Sequence, residues 1–597
     1  MRLPFFFPGV RRPTTRLMKR TRYEHYPQSD KRPYRAPRMT IKNQEIPLNR
    51  AEASLCTLLD QCVTSPACRD IDSLTLRIAG GWVRDKLLGV QSNDLDIAIS
   101  SLTGQDFATR FSAYLKAQQS SQQQQDRNHQ NKVEKPFELG KIATIEARPD
   151  QSKHLETATT TFLGLDLDFV QLRSEEYGDQ DSRIPSNVRF GTPLEDALRR
   201  DITINSLFYN VHTGLVEDHT GKGLADLEAG LIRTPLPAER TFKDDPLRLL
   251  RCIRFATRFG FQLDPDIVRA AQADPIKDAF DKKISRERVG TEVDKMLKGR
   301  DPFASLKMIE ELGLYRLVFN PCANLPDAAL DSSAAIRAAG WLDRLLLLHD
   351  PSDAQNDSDV LALSQSKNIR PLLLPRDPAL RRRLFLACAL IPYRPLKAHW
   401  GKKVIWAGEV VMMESLKLGN HDKNFIGHLF QALAVLNIAH LEPLVHTSSG
   451  GAAALRVQLG RLLRLTHVHD LKQAEGDASL NWRTSLLFAV VIELSRLQQP
   501  LPNQSPTEEQ IKVVKLFDQL VEKILELDLP FVVTAEFEKR RLDGKEICRV
   551  LGIKPGKHLA PIIDAVIDHQ IEFPDQTKDQ GAQWLKDQFH SGAITTP

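Results

Sequence analysis

Residues 77–100 read "RIAGGWVRDKLLGVQSNDLDIAIS", and the order of patterns in this stretch restricts the fold more than any other part of the chain. Residues 74–79 alternate as a strand does. A glycine pair follows, "WVRDKLLG" has helical spacing closed by Gly89, and "DLDIAIS" is a second strand. Side chains alternate faces along a strand, so Asp94 and Asp96 share one side while Leu95 and Ile97 turn into the core. Two carboxylates side by side repel unless a cation lies between them, and Mg²⁺ takes oxygen ligands that it shares with substrate phosphates. The Gly-Gly turn offers backbone N–H groups with no Cβ in the way, and the helix N-terminus suits phosphate oxygens. Gly80, Gly81 and Arg84 are therefore candidates for binding a triphosphate, with Asp94 and Asp96 as metal ligands. The stretch has neither a Walker P-loop nor a G-x-G-x-x-G dinucleotide fingerprint.

The 597 residues exceed one domain, and the net charge of +5 leans toward polyanionic partners. No apolar run reaches the roughly 18–20 residues of a membrane helix, so no membrane partner is expected. Seven cysteines without a C-x-x-C pair suit a reducing compartment and exclude zinc-finger spacing. Three His-Asp dipeptides, at 349–350, 421–422 and 469–470, form no phosphohydrolase series. Strand-like runs recur at "KIATIEARP" and "LGLDLDFVQLR", and the Gln-rich tract 118–132 reads as a loop insertion. Beyond about residue 190 the patterns become helical. The expected fold class is α+β: a head with a mixed sheet and helices, then an all-α remainder.

The glycine pair and D-x-D, in strand–turn–helix–strand order, resemble the nucleotidyltransferase superfamily that includes DNA polymerase β. The resemblance implies a third carboxylate on a neighbouring strand, for which "LGLDLDFVQLR" offers Asp166 and Asp168, with Asp168 preferred. It also implies two-metal attack of a nucleic-acid 3′-hydroxyl on the α-phosphate of a nucleoside triphosphate.

Two further stretches narrow this. "LRRDITINSLFYN" (198–210) sets Arg199, Arg200 and Asp201 before an apolar run. "RTFKDDPLRLLRCIRFATRFGF" (240–261) sets Asp244 and Asp245 at an expected helix start, then Arg248, Arg251, Arg254 and Arg258 along one face. The same helix is largely apolar, and arginines on a buried helix need partners, which a triphosphate and a base would supply. Cytosine and adenine both present an amino donor beside a ring acceptor. A carboxylate (Asp245) and a guanidinium (Arg248) one turn apart match that edge and reject uracil and guanine.

Together "GGWVRDKLLG…DLDIAI", "LEDALRRDITINSLFYN", "DDPLRLLRCIRFATRFGF" and "KISRERVGTEVDKML" resemble successive motifs of the CCA-adding enzymes, the class II tRNA nucleotidyltransferases of bacteria and eukaryotes. The tail segment "LDGKEICRVLGIKPGKHLAPII" (542–563) is similar to the same family. The resemblance implies a polymerase-β-like head (46–212), a neck (213–300), a body (301–500) and a tRNA-binding tail (501–597). It implies CTP, ATP and the tRNA 3′ end as partners, Mg²⁺ as cofactor, and stepwise addition of C, C and A without a template. Asp94, Asp96 and Asp168 would be catalytic, with Asp94 and Asp96 binding metal. Gly80, Gly81, Arg84, Arg200, Asp201, Asp245, Arg248, Arg251 and Arg254 would bind nucleotide. The loop 182–189 would match a mobile element that switches from CTP to ATP. Rival readings are a bacterial-type poly(A) polymerase and an inactive RNA-binding protein.

Residues 1–23 hold seven Arg or Lys and no acid, as in a mitochondrial transit peptide, so 1–45 is expected to be a targeting or disordered basic segment. Starts at Met18 or Met39 would give cytoplasmic and nuclear forms. Residues 367–403 carry ten basic residues, one acid and Trp400, a candidate tRNA surface. The turn before "HLAPII" is a candidate phosphate site.

Overall fold

The computed structural model of the chain describes residues 46–126, 139–145, 157–176, 187–319, 330–347, 378–446, 451–467, 480–497, 506–538 and 541–594. The basic N-terminal segment with Met18 and Met39, residues 182–186 of the switching loop, and the His-Asp pairs at 349–350 and 469–470 lie outside the described residues.

Helix α1 (Arg50–Thr64) begins with a capping box in which Asn49 and Glu52 each satisfy the other's backbone N–H. Glu52 is fully buried, and it also accepts from Lys86 Nζ at 2.7 Å and Trp82 Nε1 at 3.1 Å. Both donors belong to α2 (Gly81–Leu87), the helix after the glycine pair. Moving α2 would leave a charge buried without its partner, so this contact pins the helix.

The strands β1 (Leu76–Ala79) and β2 (Asp94–Ile99) flank α2, and α3 (Gly104–Asp126) follows. Next come β3 (Ala143–Ile145), β4 (Thr157–Phe162) and β5 (Leu165–Gln171), then the hairpin β6 (Arg173–Glu176) and β7 (Asn187–Phe190). After α4 (Pro193–Leu198), β8 (Phe208–Asn210) and β9 (Val216–Glu217) complete a seven-stranded sheet of order β3-β4-β5-β2-β1-β8-β9. It is mixed: β2 and β5 run parallel, and its other pairs are antiparallel. Leu95, Ile97 and Ile99 of β2 point into the main core with Phe107 and Phe111 of α3. The opposite face carries Asp94, Asp96 and Ala98, and Ala98 packs with Ala79, Leu172, Ala197 and Phe208 in a small separate cluster.

Helices follow: α5 (Gly223–Ala229), α6 (Ala238–Asp244), α7 (Leu247–Phe259), α8 (Pro265–Gln272), α9 (Asp274–Lys283), α10 (Arg286–Lys298), α11 (Pro302–Glu311), α12 (Tyr315–Val318) and α13 (Ser332–Leu347). Further helices run from Pro378–Ala389 to Lys578–His590. One connected apolar core extends from the head to the helix Leu559–Glu572, while Leu542, Ile547, Ile562 and Leu585 form a separate tail core.

Three expectations change. The Gln-rich tract is not wholly loop, because α3 continues to Asp126. Glutamine is a fair helix former, and no Gly or Pro interrupts residues 105–126. The part after the head is not purely helical. β10 (Leu231–Ile232) pairs in parallel with β11 (Gln262–Leu263), and β12 (Lys397–Trp400) pairs antiparallel with β13 (Lys403–Trp406). Asp244 and Asp245 do not start the arginine helix: Asp244 ends α6, Asp245 caps it, and Pro246 precedes α7. Pro246 lacks an N–H for α6 to continue through, so the chain turns there.

α10 meets the body through Gly290, where a Cβ would lie 1.9 Å from the backbone oxygen of Leu416. Beside it Arg286 donates to the carbonyls of Ser415 at 3.0 Å and Leu317 at 2.9 Å. The helix and the 411–416 turn are in backbone contact, and only glycine permits it. Gly290→Ala is expected to destabilise the protein by about 1–3 kcal/mol, the usual cost of overpacking, measured as a lowered midpoint in thermal or urea unfolding.

Candidate active site

Asp94 and Asp96 stand on β2 opposite Asp166 and Asp168 of β5, in parallel register. All four carboxylates therefore occupy one face of the sheet. Asp94 and Asp166 are exposed at the strand starts, and Asp96 and Asp168 are half-buried one pleat further in. Burial raises the Asp96 carboxyl to about 6; Arg200 opposes the shift, and the carboxylates of Asp94, Asp168 and Asp196 add to it. The like-charge crowding expected of D-x-D thus contributes, behind burial.

Asp96 faces a cleft of about 820 Å³ between the sheet and the helices α7 and α10. The cleft brings together Gly80, Gly81, Arg84, Arg200 and Asp201 from the head with Asp245, Arg248, Arg251 and Arg254 from the next segment. Asp94 and Asp168 lie on the same sheet face but do not line the cleft.

The glycine turn works differently from the expectation. Gly80 has φ of 73°, and a Cβ there would sit 2.7 Å from Arg200 Nη1. Its N–H is donated to the Leu207 carbonyl at 3.0 Å, so it is not a phosphate donor. Its contribution is the turn itself and the close approach of Arg200. Arg84 is also committed. It is buried, its Nε donates to Asp85 at 2.8 Å, Nη1 donates to Asn205, and the guanidinium lies 4.8 Å from the centre of the Phe259 ring.

Arg200 is held by Asp196, whose carboxylate accepts from Arg200 Nη2 at 2.9 Å and also binds Arg199. Burial works against ionisation of Asp196, but the two guanidiniums prevail and hold it at about 2. Asp201 does not face a nucleotide with free oxygens. It accepts from Arg251 Nε at 2.7 Å, Asn205 Nδ2 at 3.0 Å and the Ile202 N–H at 2.9 Å.

The row on α7 finds most of its partners within the protein, where a ligand was expected. Arg251 pairs with Asp201, Arg254 with Glu292 at 2.6 Å, and Arg258 with Asp85 at 3.5 Å. Arg248 lines the cleft half-buried and has no side-chain hydrogen bond among the described residues. Asp245 accepts from Arg288 through both oxygens, at 2.7 and 3.3 Å, and from the Leu247 N–H at 3.2 Å. Each carboxylate oxygen has a second lone pair, so Asp245 retains acceptor capacity.

The motif reading missed Arg288, Glu292, Asp196 and Asn205. Arg288 and Glu292 are one turn apart on α10, inside "KISRERVGTEVDKML", and acid–base pairs at that spacing were the available signal.

The residues suit Mg²⁺ by their chemistry: several hard oxygen donors on one face, next to a cleft that admits phosphates. Thr159 Oγ1, on the residue paired with Asp168, is buried without a hydrogen-bond partner, a group that a hydrated cation satisfies. Among the described residues no three carboxylate, imidazole or thiol groups converge as a closed cage. Mg²⁺ keeps several waters and usually binds through one or two carboxylates plus substrate phosphates, so an open set is compatible with it.

Comparison with known proteins agrees with this geometry. A family model described as the poly A polymerase head domain matches residues 76–233, and one described as a probable RNA and SrmB-binding site of polymerase A matches 260–325. The mitochondrial CCA tRNA nucleotidyltransferase of Candida glabrata is 35% identical, with 91% of this chain and 96% of that protein aligned. That of Saccharomyces cerevisiae is 35% identical over 91% and 94%. A solved CCA-adding enzyme in an apo form superposes with a TM-score of 0.54 at 18% identity, covering 91% of this chain and 97% of that one. The Bacillus stearothermophilus CCA-adding enzyme in complex with CTP gives 0.52 at 18%, covering 92% and 99%. These two likenesses establish the shared fold, and the identity to the yeast proteins along nearly their whole length establishes the lineage: the chain belongs to the CCA tRNA nucleotidyltransferase family.

Proposed function

We propose that this protein adds C, C and A stepwise to the 3′ end of tRNA from CTP and ATP, with no nucleic-acid template. The observation that carries this reading is the single cleft shared by Asp96 and the pair Asp245 and Arg248. It sets the Asp96 carboxylate opposite an acid and a guanidinium suited to one base edge. The domain reading that goes with it is a head at 46–212, to whose sheet β9 (Val216–Glu217) adds a strand from beyond that bound, a neck at 213–300, a body at 301–500 and a tRNA-binding tail at 501–597.

Asp94 and Asp96 would hold Mg²⁺, with Asp168 beside them. When bound, the cation neutralises phosphate charge and lowers the pKa of the attacking hydroxyl. The tRNA 3′-oxygen bonds to the α-phosphorus of the nucleotide, the bond to the bridging oxygen breaks, pyrophosphate leaves, and the hydroxyl proton passes to water. Arg200, fixed by Asp196, and Arg251, fixed by Asp201, supply positive charge that needs no reorganisation during the reaction. Asp245 accepts the amino proton of cytosine or adenine, and Arg248 donates to the neighbouring ring nitrogen. Uracil and guanine would set donor against donor. Arg288 orients the Asp245 carboxylate.

Incubating the protein with tRNA that lacks its CCA end, and with each nucleotide in turn, tests the reading. Two C additions, then one A, then a stop are expected; a long A ladder with little use of CTP would show a poly(A) polymerase instead. In the same assay Asp96→Ala and Asp94→Ala are expected to slow both C and A addition by on the order of a hundred-fold or more, the scale of losing one charge-stabilising group. Retained activity would overturn the metal assignment.

Arg288→Ala is expected to lower the preference for CTP over UTP by about 10-fold, within the roughly 1–3 kcal/mol that a bidentate contact carries. The ratio of kcat/KM values measures this. Arg288→Lys should restore part of the preference, whereas a merely structural loss would lower both rates together.

Location follows the basic, acid-free N-terminal segment and the mitochondrial yeast relatives. We infer delivery to the mitochondrial matrix from Met1, with cytoplasmic and nuclear forms from Met18 or Met39. Tagged proteins started at Met1 and at Met39 are expected to separate between mitochondria and cytosol under the microscope; two cytosolic signals would remove the inference.

A further inference from the structure

The segment "RPLKAHWGKKVIWAGE" (394–409) contains no acid before Glu409, and it forms the two-stranded hairpin β12–β13 in an otherwise helical region. An isolated hairpin is marginal in water, so its foot must be anchored. Trp406 Nε1 donates to the Tyr393 carbonyl at 2.8 Å, and the indole packs edge-on against Phe430 at 4.9 Å. Ala398 is buried, and the Ala407 N–H donates to the Leu396 carbonyl at 3.0 Å.

The tip is built in the opposite way. Trp400 is 45% exposed and Val404 56% exposed. His399, Lys402 and Lys403 are exposed with them, and Lys397, opposite Trp406 at the foot, is exposed as well. The three lysines form no side-chain hydrogen bond or ion pair among the described residues. Neighbouring basic residues behave otherwise. Arg382 is buried against Asp294 and Asp422, Arg383 donates to Asp422, and Arg381 donates to the carbonyls of Gly299 and Arg300. The basic stretch 367–403 thus contains, within its described part, Arg381, Arg382 and Arg383, which brace helices, and lysines left facing water.

Register adds a second observation. Trp400 and Lys403 are cross-strand partners, so the indole and an ammonium project from the same face, side by side. An aromatic plane beside a cation suits one nucleotide, whose base stacks while its phosphate is neutralised. A protein partner would call for acidic groups against the lysines and a continuous apolar patch around Trp400. This tip is too small and too charged to provide that patch.

We propose that the β12–β13 hairpin is an RNA contact: Trp400 stacks on an unpaired base of the tRNA, and Lys402 and Lys403 neutralise the phosphates around it. The assignment rests on the reading that tRNA is the substrate. It adds a place on the body where the RNA is gripped away from the chemistry, since no hairpin residue lines the cleft with Asp96 and Asp245.

The test uses the full chain and a fluorescent tRNA ending before CCA. Dissociation constants are measured by anisotropy between about 50 and 200 mM salt, beside kcat and KM for C addition. Trp400→Ala is expected to weaken RNA binding about ten-fold, the scale of one stacked base, with the salt dependence unchanged. Trp400→Phe should keep most of the affinity. The double variant Lys402→Gln with Lys403→Gln should flatten the slope of log K against log salt by about 1.4–1.8, from 0.7–0.9 per lost phosphate contact. KM for CTP and kcat at saturating tRNA should not move in any variant. If variants of unchanged thermal stability match the wild type in affinity and slope while the wild type extends the RNA, the hairpin assignment alone is overturned. Wild-type protein that adds no nucleotide to this RNA overturns the functional reading, and the assignment with it.

Discussion

Four arginines on one side of α7 set the problem that the rest of the molecule solves. The helix also buries Leu249, Leu250, Ile253 and Phe255, so it cannot turn those charges wholly to water. A buried guanidinium without a partner costs several kcal/mol, and the partners here come from three other elements. Asp201 follows α4, Asp85 belongs to α2, and Glu292 to α10. The salt bridges therefore tie the sheet-bearing head to α7, and α7 to α10. Phe255 and Phe259 stack along the same helix, and Arg254 and Arg84 lie over these rings at 4.2 and 4.8 Å. The same contacts that make the interface rigid hold one wall of the cleft.

The opposite wall carries the reverse charge. Asp96 is pushed up by burial and by neighbouring carboxylates, while Asp196 and Asp201 are held well below the ordinary range by guanidiniums that outweigh their burial. Similar side chains in one site thus divide into two kinds. Those saturated by arginines are structural anions, and those crowded by one another are open to a cation. In the proposed function a nucleoside triphosphate would meet both needs, with phosphates toward the Asp96 side and a base toward Asp245 and Arg248. Asp245 occupies an intermediate position, gripped by Arg288 yet with lone pairs remaining.

The strand–turn–helix–strand unit was legible because each of its signals is local. Strand alternation set Asp94 and Asp96 on one face, and the register of β1 against β2 kept it so. The preference for Asp168 over Asp166 rests on the residues around it, since both fall on the correct face; the pairing of β2 with β5 sets Asp166 beside Asp94 and Asp168 beside Asp96. Partners of the arginine row were hidden by distance along the chain. Asp201 is 50 residues from Arg251, and Arg288 is 43 residues from Asp245. Periodicity says that a charge on a buried helix needs a partner but not whether protein or ligand supplies it. Gly80 and Arg84 line the cleft as expected, but the Gly80 N–H bonds the Leu207 carbonyl and Arg84 bonds Asp85 and Asn205, long-range partners that a local pattern does not reveal. In the described part of the Gln-rich tract, 118–126, composition does not decide conformation: polar residues without Gly or Pro extend a helix as readily as they form a loop.

The two basic residue types are used differently, and chemistry gives the reason. A guanidinium has five donors in a flat fork and is weakly hydrated, so it satisfies several acceptors in a packed place. Arg286 shows this by donating to carbonyls of Leu317 and Ser415 where α10 meets the body. Arg382 does so by joining Asp294 of α10 to Asp422 of the helix Asn420–Ala432. An ammonium is compact and strongly hydrated, and exposure suits it. Counting basic residues in a stretch therefore overstates its pull on a polyanion wherever arginines are taken up internally. The charge that a nucleic acid meets is what remains after the fold has used its share, and along 378–403 that remainder gathers at the tip of β12–β13.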